Sequence, residues 1–148
     1  MICVVQRVLK SNVKIANQIY SQIAEGYLVL CGFAKDDNEK DIEWMVNKIL
    51  NLRIFSNDRG KFDLSIKDIE GEIIAVSQFT LIGDASKGRR PDFSKAMPPD
   101  KALEFYNLFV KKLKENYNPQ KIKTGVFQEE MVVALENDGP VTIILNSK

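Results

Sequence analysis

Apolar and polar positions along the first third of the chain follow the two-residue period of extended strands. Ile2 to Leu9 is rich in β-branched residues, and Val13 and Ile15 alternate with polar neighbours. Ala16-Asn17-Gln18 offers a tight turn into Ile19 to Ala24, and Glu25-Gly26 punctuates before Tyr27 to Phe33. That run is apolar at nearly every position, as a strand covered on both faces requires. The period then changes. Ile42, Met45, Val46, Ile49 and Leu50 recur at the spacing of one helix face, with Asp36-Asp37-Asn38 as capping candidates and an end near Asn51.

Arg53-Ile54-Phe55 resumes an extended chain, Asn57-Asp58-Arg59-Gly60 is a turn, and Glu72 to Leu81 reads as another strand. Ile82 to Pro99 looks like a long ordered loop. A second helix is expected from Pro98-Pro99-Asp100, where proline suits the first turn, with Ala102, Phe105, Tyr106, Phe109 and Leu113 as its buried stripe. Lys121 to Phe127, Met131 to Glu136 and Val141 to Leu145 complete the strands, with Asn137-Asp138-Gly139-Pro140 joining the last two. The order of elements predicts one α+β domain over residues 1–148, with a mostly antiparallel sheet and two helices.

Composition narrows the chemistry. A chain of 148 residues has room for a single core. Lys plus Arg number 21 against 20 Asp plus Glu, a net charge of +1, so contact with nucleic acid has to come from a local basic patch. There is no histidine. That removes Ser-His-Asp and Cys-His arrangements, histidine-based zinc sites and an imidazole acid or base. Cys3 and Cys31 each sit in an apolar run and form no Cys-x-x-Cys pair, so they read as buried reduced thiols. No metal or cofactor is expected. Met1 to Lys10 lacks the apolar core of a signal peptide, and no run approaches the roughly 20 apolar residues of a spanning helix. The expected setting is cytoplasmic, without a membrane partner.

Four segments carry candidate chemistry, each with a plainer alternative. Ser77-Gln78-Phe79-Thr80 ends a buried strand; strand alternation sends Ser77 and Phe79 to one face, Gln78 and Thr80 to the other. It is either a pocket rim offering donors or a strand end with satisfied polar groups. A hydroxyl without a histidine partner is a poor nucleophile. Asn137-Asp138-Gly139-Pro140 reads first as a hairpin turn, although a cis Gly-Pro bond would aim two carbonyl oxygens the same way. Lys87-Gly88-Arg89-Arg90, with Lys95 nearby, is either a solvated loop or a clamp on RNA phosphates, a field that Lys111, Lys112, Lys114, Lys121 and Lys123 could extend. Phe127 ends Gly125-Val126-Phe127 and is either core or a surface for stacking a nucleobase.

Taken together, Val5-Gln6-Arg7-Val8, Lys48 to Phe55, Val76 to Leu81, Gly83-Asp84, Lys87 to Pro91 and Asn137 to Thr142 resemble the D-aminoacyl-tRNA deacylase family, in register over nearly the whole chain. The resemblance implies a barrel-like version of the α+β domain and a homodimer acting on the aminoacylated 3′ end of tRNA, with no DNA partner. It implies a cis Gly139-Pro140 that reaches into the partner's pocket to exclude L side chains, oriented by Arg7. Ser77, Gln78 and Phe79 would line that pocket, with Thr80 at a position once proposed as nucleophile. Phe127 and Ala102 match positions that hold the terminal adenosine. There is one departure. The family pattern is Gly-x-Phe-Gly followed by a small residue, whereas this chain has Gly125-Val126-Phe127-Gln128-Glu129.

The expected reaction is hydrolysis of D-aminoacyl-tRNA, with glycyl-tRNA as a secondary substrate because glycine offers no side chain to reject. Three other readings remain: an editing domain for an L-residue, a non-catalytic RNA-binding module using Lys87, Arg89 and Arg90, and a purely structural dimer.

Overall fold

The computed structural model describes residues 1–148. Its frame is two long antiparallel strands, β1 (Ile2–Ile15) and β8 (Val132–Asn146), paired from Ile2–Asn146 to Lys14–Val132 with register shifts on either side of Val8. β1 also pairs antiparallel with β2 (Gln18–Ile23) and β3 (Gly26–Gly32). Two parallel steps follow, β3 to β6 (Glu72–Ser77) and β6 to β7 (Ile122–Thr124). A separate small hairpin, β4 (Phe55–Ser56) with β5 (Phe62–Leu64), lies off the main sheet. The main order is β2-β1-β3-β6-β7. It curls so far that the Ser21 hydroxyl on β2 donates to the Thr124 carbonyl on β7 at 2.7 Å, which nearly closes a barrel.

Helix α1 (Glu39–Asn51) forms where the apolar period predicts it. Asn38 caps it through the Lys40 N–H, the Asp41 carboxylate returns to the Asn38 N–H at 2.9 Å, and the buried face is Ile42, Met45, Val46, Ile49 and Leu50. Helix α2 (Pro99–Asn116) starts on proline and buries Ala102, Tyr106, Phe109 and Leu113. Neither helix is long and apolar enough to cross a membrane.

Two cores result, one on each face of the sheet. Tyr27, Val29 and Cys31 of β3 and Ile73 and Ala75 of β6 face the helices and join a cluster of 25 buried residues. Leu28 of β3, with Ile74 and Val76 of β6, points into the barrel beside Val8, Val13 and Ile23. The unbroken apolar run of β3 thus has its physical cause in two-sided burial.

Three local expectations are corrected. β6 ends at Ser77, and Phe79–Ile82 is a short 3-10 turn that buries Ile82. Asn137-Asp138-Gly139-Pro140 is no hairpin turn between two strands, because β8 runs straight through it. Phe127 lies in a turn beyond β7, which stops at Thr124.

Candidate active site

The 3-10 turn exists because the chain must leave the sheet without losing its hydrogen bonds. The Gln78 N–H donates the last strand bond, to the Cys31 carbonyl at 2.7 Å, and the Leu81 N–H then closes on the Gln78 carbonyl at 3.2 Å. Gly32 permits this approach, since a Cβ there would lie 2.9 Å from the Gln78 carbonyl oxygen. The first N–H groups of any helical turn precede its first internal acceptor, and here those belong to Phe79 and Thr80. Phe79 is 55% exposed and packs edge-on against Phe93 at 5.1 Å.

This turn borders a cavity of about 800 Å³. Ser77, Gln78 and Phe79 form one wall, Ala102 and the Pro98-Pro99 start of α2 another, and Phe127 with Gln128 and Glu129 a third. Phe127 is held by Tyr106 at 5.9 Å between ring centroids, and the Tyr106 hydroxyl donates to the Ala75 carbonyl at 2.9 Å. Burial pushes the Tyr106 phenol well above its usual range, so it is a fixed donor and not a base. Lys35 and Glu129 are the ionisable residues of the lining; Glu129 belongs to the departure from the family pattern, and Lys35 did not stand out in the sequence.

Five expected site residues, Ser77, Gln78, Phe79, Ala102 and Phe127, therefore meet at one cavity. Thr80 does not line it. Its side chain is exposed, and its hydroxyl accepts a hydrogen bond from the Gln78 amide. Lys87, Arg89 and Arg90 are exposed on the loop between Asp84 and Asp92, whose backbones bridge each other at 2.8 Å in both directions.

Arg7, Gly139 and Pro140 form a second constellation. Gln6 pairs with Thr142 and Val8 with Asn137, so Asp138 to Val141 bulge out of β8 opposite Arg7. Arg7 is 8% exposed and donates to the Ile54 carbonyl at 2.7 Å and the Asp138 carbonyl at 3.3 Å. The Asn137 side chain closes the bulge by accepting the Val141 N–H at 3.2 Å. Gly139-Pro140 is a cis peptide at the exposed tip. In the chain's own fold this tip is not part of the cavity lining.

A second cavity, of about 650 Å³, lies by the chain ends. Most of its charges are paired, the Met1 ammonium with Asp37 at 2.5 Å, Lys148 with Asp36 at 3.0 Å and Lys95 with Asp84 at 3.9 Å, while Lys35 is not.

The departure at Gln128 has a conformational signature. Its φ is +62°, in the left-handed region that favours glycine, so this chain carries a long side chain on a glycine-type backbone at the cavity's third wall.

Comparison with known proteins identifies the family. Residues 4–146 match the family model described as D-Tyr-tRNA(Tyr) deacylase. The D-aminoacyl-tRNA deacylase of Kosmotoga olearia is 53% identical over 148 residues, covering 100% of this chain and 98% of its own. That of Thermodesulfovibrio yellowstonii is 47% identical with full coverage of both chains. Among solved structures, the c-Myc DNA Unwinding Element Binding Protein superposes with a TM-score of 0.96 at 46% identity, covering 100% of this chain and 99% of that one. A probable eukaryotic D-amino acid tRNA deacylase shares the fold at 16% identity, with a TM-score of 0.85 over 97% of both chains. The chain belongs to the D-aminoacyl-tRNA deacylase family, hydrolases of the ester bond between a D-amino acid and tRNA.

Proposed function

We propose that the cavity beside the 3-10 turn seats the aminoacylated terminal adenosine of tRNA, and that a second copy of the chain closes it with Gly139-Pro140. The observation that carries this reading is the convergence of Ser77, Gln78 and Phe79 with Ala102 and Phe127, from remote elements, on one cavity. The adenosine rests against Phe127 and Ala102, and the ester carbonyl points at the N–H groups of Phe79 and Thr80. Lys87, Arg89 and Arg90 meet phosphates further along the tRNA, which sets affinity without reading sequence. The exposed, Arg7-anchored tip suits insertion into a partner's cavity.

An aminoacyl ester is already activated, so positioning and oxyanion stabilisation suffice without histidine. One well-placed donor is worth roughly 10²–10³ in rate. The neighbouring ribose 2′-hydroxyl orients a water. That water adds to the ester carbon and its proton passes to the 3′ oxygen as the C–O bond breaks, leaving D-amino acid and tRNA.

Chiral discrimination of 10⁴-fold requires about 5.5 kcal/mol. A rigid clash of the L side chain with the Gly139-Pro140 tip supplies this more readily than extra contacts to the D form. The same filter admits glycine, so glycyl-tRNA is a secondary substrate.

The test is ester loss from D-tyrosyl-, L-tyrosyl- and glycyl-tRNA in EDTA, with sedimentation to measure the oligomer. Loss of the D and glycyl forms by a dimer supports the reading. Loss of the L form as well would sink steric exclusion, and a fully active monomer would sink the inserted tip. Duplex DNA added as competitor should leave turnover unchanged.

A further inference from the structure

We propose that the exposed face of α2, together with Tyr20, binds the single-stranded nucleotides that precede the terminal adenosine. This rests on the cavity being the adenosine site, and extends it. Phe127 forms the common wall between that cavity and a groove of about 420 Å³ running along α2. Leu103, Asn107, Val110 and Lys114 line the groove at a spacing of 4, 3 and 4 residues, which keeps them on one helix face. A further depression of about 480 Å³ shares Asn107, Val110 and Lys114 and continues the track. From Leu103 to Lys114 the helix rises about 16 Å. That exceeds the roughly 3.4 Å rise of a stacked nucleotide several-fold.

Tyr20 is the second, independent observation. Val13 pairs with Ser21 and Lys14 with Ile19, so Tyr20 is the extra residue of a β-bulge. Bulges re-aim a side chain, and this one leaves Tyr20 54% exposed on the groove's rim. The Ser21–Thr124 hydrogen bond fixes the bulge against β7 next door. The protein's own core makes little use of this ring, whereas a nucleobase can stack on it.

Charge agrees with the direction of the track. Lys111 is paired with Glu115 at 3.8 Å, while Lys114 enters no ion pair and faces the groove. A phosphate between two stacked nucleotides is the natural partner for that ammonium. The groove thus offers an aromatic platform, an apolar floor and a free cation in series with the adenosine cavity. Tyr20 and Lys114 act as positioning residues, remote from the reacting ester.

The experiment compares two substrates, D-tyrosyl-tRNA and 3′-O-D-tyrosyl-adenosine, the second lacking every preceding nucleotide. Tyr20→Ala and Lys114→Ala should each lower kcat/KM for the tRNA ester about tenfold, mainly through KM, as loss of one stacked base or phosphate contact implies. Hydrolysis of the adenosine ester should be unchanged, and Tyr20→Phe should restore the tRNA activity. Equal losses on both substrates, or none on tRNA, would overturn the proposal.

Calorimetric binding of the trinucleotide CCA and of adenosine monophosphate provides a readout independent of turnover. Tighter binding of CCA that falls to the adenosine level in Tyr20→Ala supports the groove. Equal binding of the two ligands by the unaltered protein overturns it. If the unaltered protein cleaved neither ester, the active-site reading would fail separately, and the trinucleotide comparison would still decide the groove.

Discussion

Arg7 grips Asp138 at two atoms, with Nε 3.3 Å from the backbone carbonyl and 3.1 Å from the carboxylate Oδ2. Its Nη1 is taken by the Ile54 carbonyl at 2.7 Å, so the guanidinium ties the chain before β4 to the bulge in β8. A Cβ at Gly139, where φ is +117°, would stand 3.1 Å from Arg7 Nη2 and 2.7 Å from Val141 Cγ2. The bulge is therefore moulded around a planar fork that lysine cannot reproduce.

Arg7→Ala removes those bonds and leaves the Ile54 carbonyl without its donor. Stability should fall by about 2–3 kcal/mol, as for charged hydrogen bonds lost from buried sites. If Gly139-Pro140 is the chirality filter, hydrolysis of L-tyrosyl-tRNA should rise relative to the D form. Chemical denaturation and the D-to-L rate ratio check the two effects separately. Unchanged discrimination in the folded variant would disconnect Arg7 from the filter.

Thr80 separates hydroxyl from backbone chemistry. Thr80→Ala removes a side chain that lies outside the cavity lining, so activity should stay within about threefold. Thr80→Pro removes the N–H in the first turn of the 3-10 segment together with the side chain, so its comparison with Thr80→Ala isolates the donor. Single-turnover rates should drop roughly 10²–10³-fold, the worth of one oxyanion donor. Strong loss in Thr80→Ala, with tRNA binding intact, would return the hydroxyl to the mechanism.

Gln128→Gly should stabilise the protein. A non-glycine residue in the left-handed region costs about 1–2 kcal/mol, and part of that returns to the unfolded chain as glycine entropy. We expect a net gain near 1 kcal/mol, which for this length is a rise of about 2–4 °C in Tm. Calorimetry checks the gain. A lower KM for D-aminoacyl-tRNA would show that the Gln128 side chain crowds the cavity.

Asp84 and Asp92 brace the basic loop, and both carboxyls lie below the ordinary 3.8. The hydroxyl and N–H of Ser86 hold Asp84 down, and those of Ser94 hold Asp92 down. Depressed folded values mean that this bracing is complete above the unfolded pKa and is lost as pH falls through the folded values. The loop should therefore be indifferent to pH between 7 and 5 and loosen only in strong acid. Carboxyl NMR titration tests this, and Ser94→Ala should move the Asp92 midpoint upward.

The helices were legible because their signals are local. The Asn38 cap and the period of Ile42 to Leu50 lie within one segment, as do Pro99 and the stripe ending at Leu113. The bulge was not legible. Asn-Asp-Gly-Pro carries strong turn chemistry, and only pairing with β1, more than 120 residues away in sequence, shows that the strand continues. Strand alternation likewise misplaced Gln78, set opposite Ser77 and Phe79 although all three line the cavity, because the end of β6 depends on how closely Gly32 lets the Gln78 carbonyl approach. Tyr20 went unnoticed. An aromatic inside the polar stretch Gln18-Ile19-Tyr20-Ser21-Gln22 was a faint signal, and a register slip against β1 is what turned it outward.

β3 contributes side chains to both cores in strict alternation, Tyr27, Val29 and Cys31 to the helices and Leu28 to the barrel. Neither core can melt while that strand stays in place, and neither can persist once it leaves. Heating should therefore produce one transition, with helical and sheet signals lost together and no intermediate in which α1 and α2 have detached from an intact barrel. Because the cavity draws its walls from the end of β6, the start of α2 and the turn after β7, it should form and vanish in step with both cores, with no folded molecule lacking it.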